Sequence, residues 1–563
     1  VAVVLPERRV AMAAVGGGYW QVDIPAAGPG TRYRLAVDWG DRRLEIPDPA
    51  SFGQPEGPHG ASAVVDLAFP WQDQAWRNRS LAEYVFYEVH VGTFTPAGTL
   101  AAAQERLGDL VALGITAVAL MPVAQFPGDR NWGYDGVYPF AVQDSYGGAQ
   151  ALQQFVDACH RVGLAVVLDV VYNHLGPEGN YLWGLGNYFT DRYRTPWGNA
   201  LNYDGPHSDG VRAYVLENAL FWLREFHLDG LRLDAVHAIY DFGGKHLLQE
   251  LAEQVAVFSE TVGKPHYLIA ESDLNDSRLL RPWSQGGYQL HAQWSDDFHH
   301  GLHALLTGER QGYYADFGRV ADLAKAIEAG FVYDWRYAPH RQRFHGNWAG
   351  DLPPVQFVIA SQNHDQVGNR MLGDRLGHLV GGAAQQLAAV FTLLTPGLPL
   401  LFMGEEYGET APFLYFTSHG DPGLIEGVRE GRKREFAAFH STGEVPDPQS
   451  IETFQCSQLN WELRQQPDHQ DLLDFYKKLL SLRREVLPDL TGQRPTVRFS
   501  ESEKWLTVDA GGLWLAGNFH DGGAAVAPPG GQWRDGLTGE VWRGDRLLLA
   551  PWGWKILRQG SSV

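Results

Sequence analysis

Leu164-Ala165-Val166-Val167-Leu168-Asp169-Val170-Val171-Tyr172-Asn173-His174 is an apolar, β-branched run that ends in polar residues. The stretch 209–227 then carries apolar residues at helical spacing, and Gly230-Leu231-Arg232-Leu233-Asp234-Ala235-Val236-His237 repeats the first pattern. Strand, amphipathic helix, strand is the signature of two parallel strands joined by a helical crossover. The same texture extends both ways, with runs at 84–91, 115–123, 164–171, 230–236, 267–271, 293–298, 357–362 and 398–403. Helical stretches lie at 101–113, 149–162, 209–227, 246–262 and 381–394, and a further one at 470–486 follows the last strand. Eight such units over about 400 residues predict an α/β fold, a (β/α)8 TIM barrel with loop insertions. The alternative, a doubly wound open sheet, calls for a Gly-rich phosphate turn after its first strand. Gly92-Thr93-Phe94-Thr95 stands there instead.

Outside the barrel the period changes. Residues 1–75 alternate at period two between glycine and proline breaks, with strands expected at 19–24, 32–37 and 63–67. Short strands return from about residue 495, at 513–517, 530–536, 541–542, 546–550 and 554–558. The expected division is an N-terminal β-sandwich (1–75), the catalytic barrel (76–490) and a C-terminal β-sandwich (491–563). The stretches 417–423 and 443–450 read as long loops.

Composition bounds the function. With 44% apolar residues the 563-residue chain can build real cores, which excludes wholesale disorder. A net charge of −21 disfavours a nucleic-acid partner. Two cysteines, Cys159 and Cys456, exclude a disulfide framework and a cysteine-rich zinc site. The apolar runs fall short of the ~20 residues of a membrane helix. The N-terminus is broken by Pro6-Glu7-Arg8-Arg9 and carries no signal-peptide pattern, so a soluble cytoplasmic protein with no membrane partner is expected. The 19 tryptophans, 23 tyrosines and 27 phenylalanines fit either stacking platforms or large sheet cores.

In a barrel of this kind chemistry sits at the C-terminal ends of the strands. Four runs end there in ionisable groups: Asp169 and His174; Arg232, Asp234 and His237; Glu271 and Asp273; His364 and Asp365. For Asp169 alone a buried ion pair with Arg232 is an equal reading; four strands doing the same is harder to assign to packing. No close His-x-x-x-His pair with a third ligand stands out, and His299-His300, read as strand residues, would point to opposite faces. Neither a Gly-x-Ser-x-Gly elbow nor a phosphate loop occurs. No metal and no cofactor are expected. Converging carboxylates with aromatic neighbours, such as those of Trp132-Gly133-Tyr134-Asp135, suit glycoside chemistry, in which one carboxylate attacks or stabilises the anomeric carbon and a second, protonated one serves the leaving oxygen.

The four segments 169–174, 230–237, 270–273 and 362–366 resemble, in order and spacing, the signature regions of the α-amylase superfamily. The resemblance implies a nucleophile at Asp234, a general acid/base at Glu271 and a third carboxylate at Asp365 that holds sugar hydroxyls in the transition state. It makes Arg232 the arginine that keeps the nucleophile ionised. It places His174 and His364 around the sugar on the cleaved side, Tyr134 beneath that ring, and His237 toward the leaving group. The residue chemistry agrees. Arg232 and Asp234 share a strand face, and a guanidinium favours the carboxylate form. Glu271 follows an apolar run, where burial would keep it an acid. A retaining double displacement is expected, with the two carboxyls about 5–5.5 Å apart.

A β-domain before the barrel is similar to the branching, debranching and trehalose-forming groups of that superfamily. Segments 85–95, 294–300, 307–314, 366–370 (with Gln366 and Asn369) and 430–435 resemble the trehalohydrolases among them. That implies hydrolysis of the α-1,4 bond next to the trehalose end of maltooligosyltrehalose, with related α-glucans as partners. Asp296, Asp297, Phe298, His299 and His300, read as the end of strand six, are then candidates for trehalose recognition, the alternative being that the two aspartates cap the strand end. Two departures go with it: the N-terminal domain looks shortened, and Asn173 resembles one residue of an amylase calcium site whose remainder is missing, so no calcium is expected. The rivals are a branching or debranching enzyme of the same fold and, more remotely, an inactive carbohydrate-binding protein, which would usually lack one of the three carboxylates.

Overall fold

The computed structural model describes residues 1–39, 42–438 and 443–559. Eight parallel strands close into a barrel in chain order: β1 (Phe86–Val89), β2 (Ala117–Leu120), β3 (Ala165–Val170), β4 (Gly230–Leu233), β5 (Tyr267–Ala270), β6 (Ala292–Trp294), β7 (Phe357–Ala360) and β8 (Leu398–Phe402), with β8 paired back onto β1. Each overlaps a predicted run, and the fold is the expected (β/α)8 barrel. Helices α1 (Leu107–Leu113), α2 (Gly148–Arg161), α3 (Ser208–Glu225), α4 (Leu247–Val262), α5 (Asp296–Thr307), α6 (Val320–Ala329) and α7 (Gly382–Leu394) lie in the crossovers; α8 (Pro422–Ala438) and α9 (Pro467–Gly492) follow β8. Among the described residues no helix is long and apolar enough to cross a membrane.

One expected strand is corrected. The run 293–298 is not one element: β6 stops at Trp294, the Ser295 amide makes a last ladder bond to the Val358 carbonyl (2.8 Å), and Asp296 opens α5. Two acidic residues in a first turn suit the positive end of a helix. Phe298, Leu302, Leu305 and Leu306 then follow at helical spacing and are buried. The pair His299-His300 therefore sits about 100° apart on a helix rather than on opposite strand faces. The stretch 417–423 is likewise not all loop, since α8 starts at Pro422.

The alternation of side chains along a strand decides what fills the barrel. Phe86, Ala117, Ala165, Val167, Ile269, Ala292, Trp294, Val358, Ala360, Leu398 and Leu400 form one closed apolar cluster inside it. Their neighbours Tyr87, Val166, Leu168, Leu231, Leu233 and Leu268 pack outward against the helices. Continuing the inward parity along the strands leads to Glu88, Asp169, Arg232, Asp234 and Glu271. Parallel register sets Asp169 beside Arg232. A charged layer thus caps the apolar one on the side where the strands end.

Sheets stand at both ends of the chain. Strands Ala2–Leu5, Arg8–Ala11, Arg32–Trp39 and Arg42–Ile46 form an antiparallel N-terminal sheet joined by Ser62–Ala63, beside a hairpin of Ala13–Gly16 and Tyr19–Gln21. At the C-terminus a six-stranded antiparallel sheet from Thr496–Ser500 to Trp554–Gln559 packs with the pair Ala524–Val526 and Leu547–Leu549 around Trp514, Trp533 and Leu557. Residues 560–563 of the expected C-terminal domain lie outside the described residues.

The opposite mouth of the barrel is sealed by another buried charge. Asp229, just before β4, accepts from Trp76 Nε1 (2.8 Å), His160 Nε2 (2.9 Å), the Val166 amide (2.9 Å) and Lys264 Nζ (3.2 Å). Burial pushes this carboxyl up, but Lys264 and His160 outweigh it and hold it at about 2. Its contribution to stability is therefore complete above the unfolded aspartate value of about 3.9 and is lost as pH falls through about 2. Asp229→Ala takes the buried carboxylate away from Lys264 and His160 and is expected to destabilise the fold by about 3–5 kcal/mol near neutral pH, read as a lower urea midpoint.

Candidate active site

One guanidinium organises the site. Arg232 Nη1 donates to both oxygens of Asp169 (2.9 and 2.8 Å) and to Asp234 Oδ1 (2.8 Å), while Nη2 lies 3.7 Å from Glu271 Oε2. The Trp294 ring lies 4.4 Å from the guanidinium and supports it from within the barrel. The other oxygen of Asp234 accepts from Asn173 Nδ2 (2.7 Å), which also bonds the Asp234 carbonyl (2.8 Å). Asp234 is thus held as an acceptor by two donors, as a nucleophilic carboxylate requires.

Glu271 has the opposite environment. Burial raises its pKa, Asp234 and Asp365 add to this, and Arg232 only partly opposes it. Its Oε2 accepts from the Ala235 amide (2.6 Å). That amide is aimed by a left-handed turn at Ala235 (φ 39°), which costs a residue with a side chain about 1–2 kcal/mol.

Asp365 sits on the short helix His364–Gly368, whose start is capped by the Asn363 side chain. Asn369 Nδ2 donates to Asp365 Oδ1 (2.6 Å). Gly368 is required here: a Cβ would fall 2.0 Å from the Trp132 ring. Trp132 itself is buried, stacked on Phe413 (5.3 Å, 16°) and bonded to the Leu414 carbonyl (2.8 Å); it and the less buried Tyr134 both line the cavity.

The Tyr134 hydroxyl donates to Asp169 Oδ2 (2.8 Å) and lies 2.8 Å from His364 Nε2, with its ring stacked on His364 (5.4 Å, 25°). His364 Nδ1 faces Glu88 Oε1 (2.6 Å), and its amide donates to Glu88 Oε2 (2.8 Å). Burial pushes His364 toward neutrality, but Glu88 outweighs it and the pKa is raised. Burial brings the Asp169 carboxyl up to about 7 against the pull of Arg232. His174 bonds the Tyr134 carbonyl (2.9 Å), and burial lowers its pKa. Its ring stacks under Trp197 (4.2 Å, 2°), which is 48% exposed and walls the cavity.

Of these groups Tyr134, His174, Asp234, Glu271, His364 and Asp365 line a cavity of about 580 Å³, with Leu424, Val428 and Arg432 of α8 contributing to its wall and His237 also facing it. His237 Nδ1 is 4.0 Å from Asp273. The segment 296–300 divides. Burial and the nearby Glu271 and Asp365 push Asp296 well above the usual carboxylate range, and Gln366 Nε2 reaches its Oδ1 at 3.5 Å. Asp297 is committed to Asn275 Nδ2 (2.7 Å) and the amides of Val332 (2.6 Å) and Tyr333 (3.1 Å). Phe298 is core, His299 bonds the Ser361 carbonyl (2.8 Å) and the Tyr314 hydroxyl (2.9 Å), and His300 stacks on Tyr313 (4.8 Å).

The family model for the alpha-amylase catalytic domain matches residues 73–197. A Saccharolobus solfataricus protein named malto-oligosyltrehalose trehalohydrolase is 47% identical over 88% of this chain and 84% of its own length. A namesake from Rhizobium sp. (strain M-11) is 46% identical over 93% and 88%. The chain belongs to the malto-oligosyltrehalose trehalohydrolase family. Within the alpha-amylase superfamily this makes it a glycoside hydrolase. A solved structure from Salmonella typhimurium, assigned as an alpha amylase, superposes with a TM-score of 0.91 at 39% identity, covering 99% of this chain and 95% of that one.

Glu88 and Arg432 lie in segments that carry the resemblance, 85–95 and 430–435, but the sequence assigns neither of them, nor Trp197, a place at the site, and it singles out Asn173 only as part of a missing calcium site. Glu88 had a signal, an acid at an inward position of the run 84–91; Trp197 and Arg432 are brought in by a hairpin and a helix far from any strand end. Glu88→Gln removes the carboxylate that raises the His364 pKa. A raised histidine pKa adds stability that is full below about 6.5 and is lost as pH rises through the folded value. The variant is therefore expected to lose about 1.5–3 kcal/mol at pH 6. That gap from wild type should shrink at pH 9, in urea unfolding run at both values.

Proposed function

We propose that the chain hydrolyses the α-1,4 bond between trehalose and the glucan chain of maltooligosyltrehalose by a retaining double displacement. The observation that carries the chemistry is the contrast between two neighbouring carboxyls: Asp234, ion-paired to Arg232 and bonded by Asn173, and Glu271, buried with a raised pKa. Asp234 attacks the anomeric carbon as Glu271 passes its proton to the departing trehalose oxygen. Glu271, now a base, then takes a proton from water, whose oxygen releases the sugar from Asp234. Asp365 holds the hydroxyls of the sugar being cleaved, with Tyr134, His174 and His364 around that ring. His237, Asp296 and Gln366 belong to the leaving-group side. The relatives' shared name supports trehalose as that leaving group. The division 1–75, 76–490 and 491–563 is part of the proposal, the middle part carrying every residue of this mechanism.

Asp234→Asn is expected to remove turnover with an unchanged circular-dichroism spectrum; near-normal activity would sink the nucleophile assignment. Glu271 must be protonated for the first step, so kcat/KM should fall as pH rises through its raised pKa, placing that limb above the ordinary glutamate value of about 4.3. Glu271→Gln should erase this limb and cost about 10²–10⁴-fold on a natural glucan, but far less on an aryl glycoside that leaves unaided. Products from maltotriosyltrehalose, maltopentaose and amylopectin test the substrate: fast trehalose release from the first and slow cutting of the second are expected. New or lost branches in amylopectin without trehalose release would move the chain to a branching or debranching role.

A further inference from the structure

We infer that Arg432, on α8, is a positioning residue for Asp365 that acts through Asn369. This rests on the proposed role of Asp365. Arg432 Nη1 donates to Asn369 Oδ1 (3.0 Å) and Glu435 Oε2 (2.8 Å), and Nη2 donates to the Gly368 carbonyl (3.0 Å). Its guanidinium packs on the rings of Tyr415 (4.9 Å) and Phe436 (4.6 Å). Asn369 in turn donates through Nδ2 to Asp365 Oδ1 (2.6 Å).

The chemistry of an amide makes this chain directional. An asparagine side chain can turn over and exchange its oxygen for its NH2. A guanidinium offers only donors and a carboxylate only acceptors. A turned Asn369 would set N–H against N–H at Arg432 and oxygen against oxygen at Asp365. Arg432 therefore selects the one amide orientation that gives Asp365 a donor, and its second bond fixes the backbone where the His364–Gly368 turn ends. The helix that carries Arg432 buries a single large apolar side chain among its described residues, Phe436, and otherwise lies over the cavity with Leu424 and Val428 in its wall. The setting of the third carboxylate thus depends on how α8 is seated, from a segment remote from every barrel strand.

The test uses the full-length enzyme with maltotriosyltrehalose and the variants Arg432→Ala, Arg432→Lys, Asn369→Ala, Arg432→Ala/Asn369→Ala and Asp365→Asn. Arg432→Ala and Asn369→Ala should each lower kcat about ten- to a hundredfold with KM little changed, as misplacement of a reacting group does. The double variant should be no worse than the poorer single one. Arg432→Lys should recover only part of the loss, because an ammonium lacks the planar fork. A kcat for Arg432→Ala within about twofold of wild type, a loss confined to KM, or multiplicative losses in the double variant would each overturn the inference. If Arg432→Ala does not fold, Arg432→Lys and Asn369→Ala decide it: a kcat loss in both, the smaller one in Arg432→Lys, upholds the chain, and an unaffected Asn369→Ala breaks it. An active Asp365→Asn would remove the role of Asp365 and the inference with it. An inactive Asp365→Asn beside an unaffected Arg432→Ala would overturn the inference alone.

Discussion

Arg232 is the cation on which the mouth of the barrel depends. Asp169, Asp234 and Glu271 all approach it inside a protein interior, where an unpaired carboxylate would carry a large desolvation cost. Its side chain is buried, braced by Trp294, and reaches two carboxylates through one nitrogen. Removing one carboxylate would unbalance the others, so the group behaves as a unit. The charge it supplies is also what separates the environments of Asp234 and Glu271. Asp234 is bonded to it at 2.8 Å, while Glu271 lies 3.7 Å away and is governed mainly by burial.

The two ends of the barrel use buried charge in different ways. At one end both oxygens of Asp229 are engaged by protein donors: Trp76, His160, the Val166 amide and Lys264. At the other end the carboxylates keep an open side toward a cavity of about 580 Å³. The first arrangement can only stabilise. The second holds groups in strained or shifted states, the left-handed Ala235 and the raised Glu271 among them, and the closed end together with the apolar barrel interior offsets that cost.

Much of this is legible before any coordinates. Strand parity alone brings Asp169, Arg232, Asp234 and Glu271 to the inward face, and the same rule applied to the run 84–91 would have added Glu88 beneath His364. The reading failed where local pattern and tertiary context diverge. Trp294 to His300 looks like one strand because tryptophan, phenylalanine and histidine are tolerated in either element; the apolar spacing that reveals α5 lies beyond it, at Leu302, Leu305 and Leu306. That error exchanged roles within the segment. Asp297 and His299 are committed to protein partners, and Asp296 stands in the field of Glu271 and Asp365.

By itself the sequence determined the barrel, the strand ends where ionisable groups gather and the face on which Arg232 and Asp234 lie, because these follow from periodicities of two and 3.6 residues that act over a few positions. Only the tertiary structure decided which polar groups meet. Trp197 over His174, Glu88 against His364, and Arg432 reaching Asn369 join residues 23, 276 and 63 positions apart. No local pattern encodes such distances. They are set by barrel closure, which brings β8 back to β1, and by the loops and helices that cross its open end.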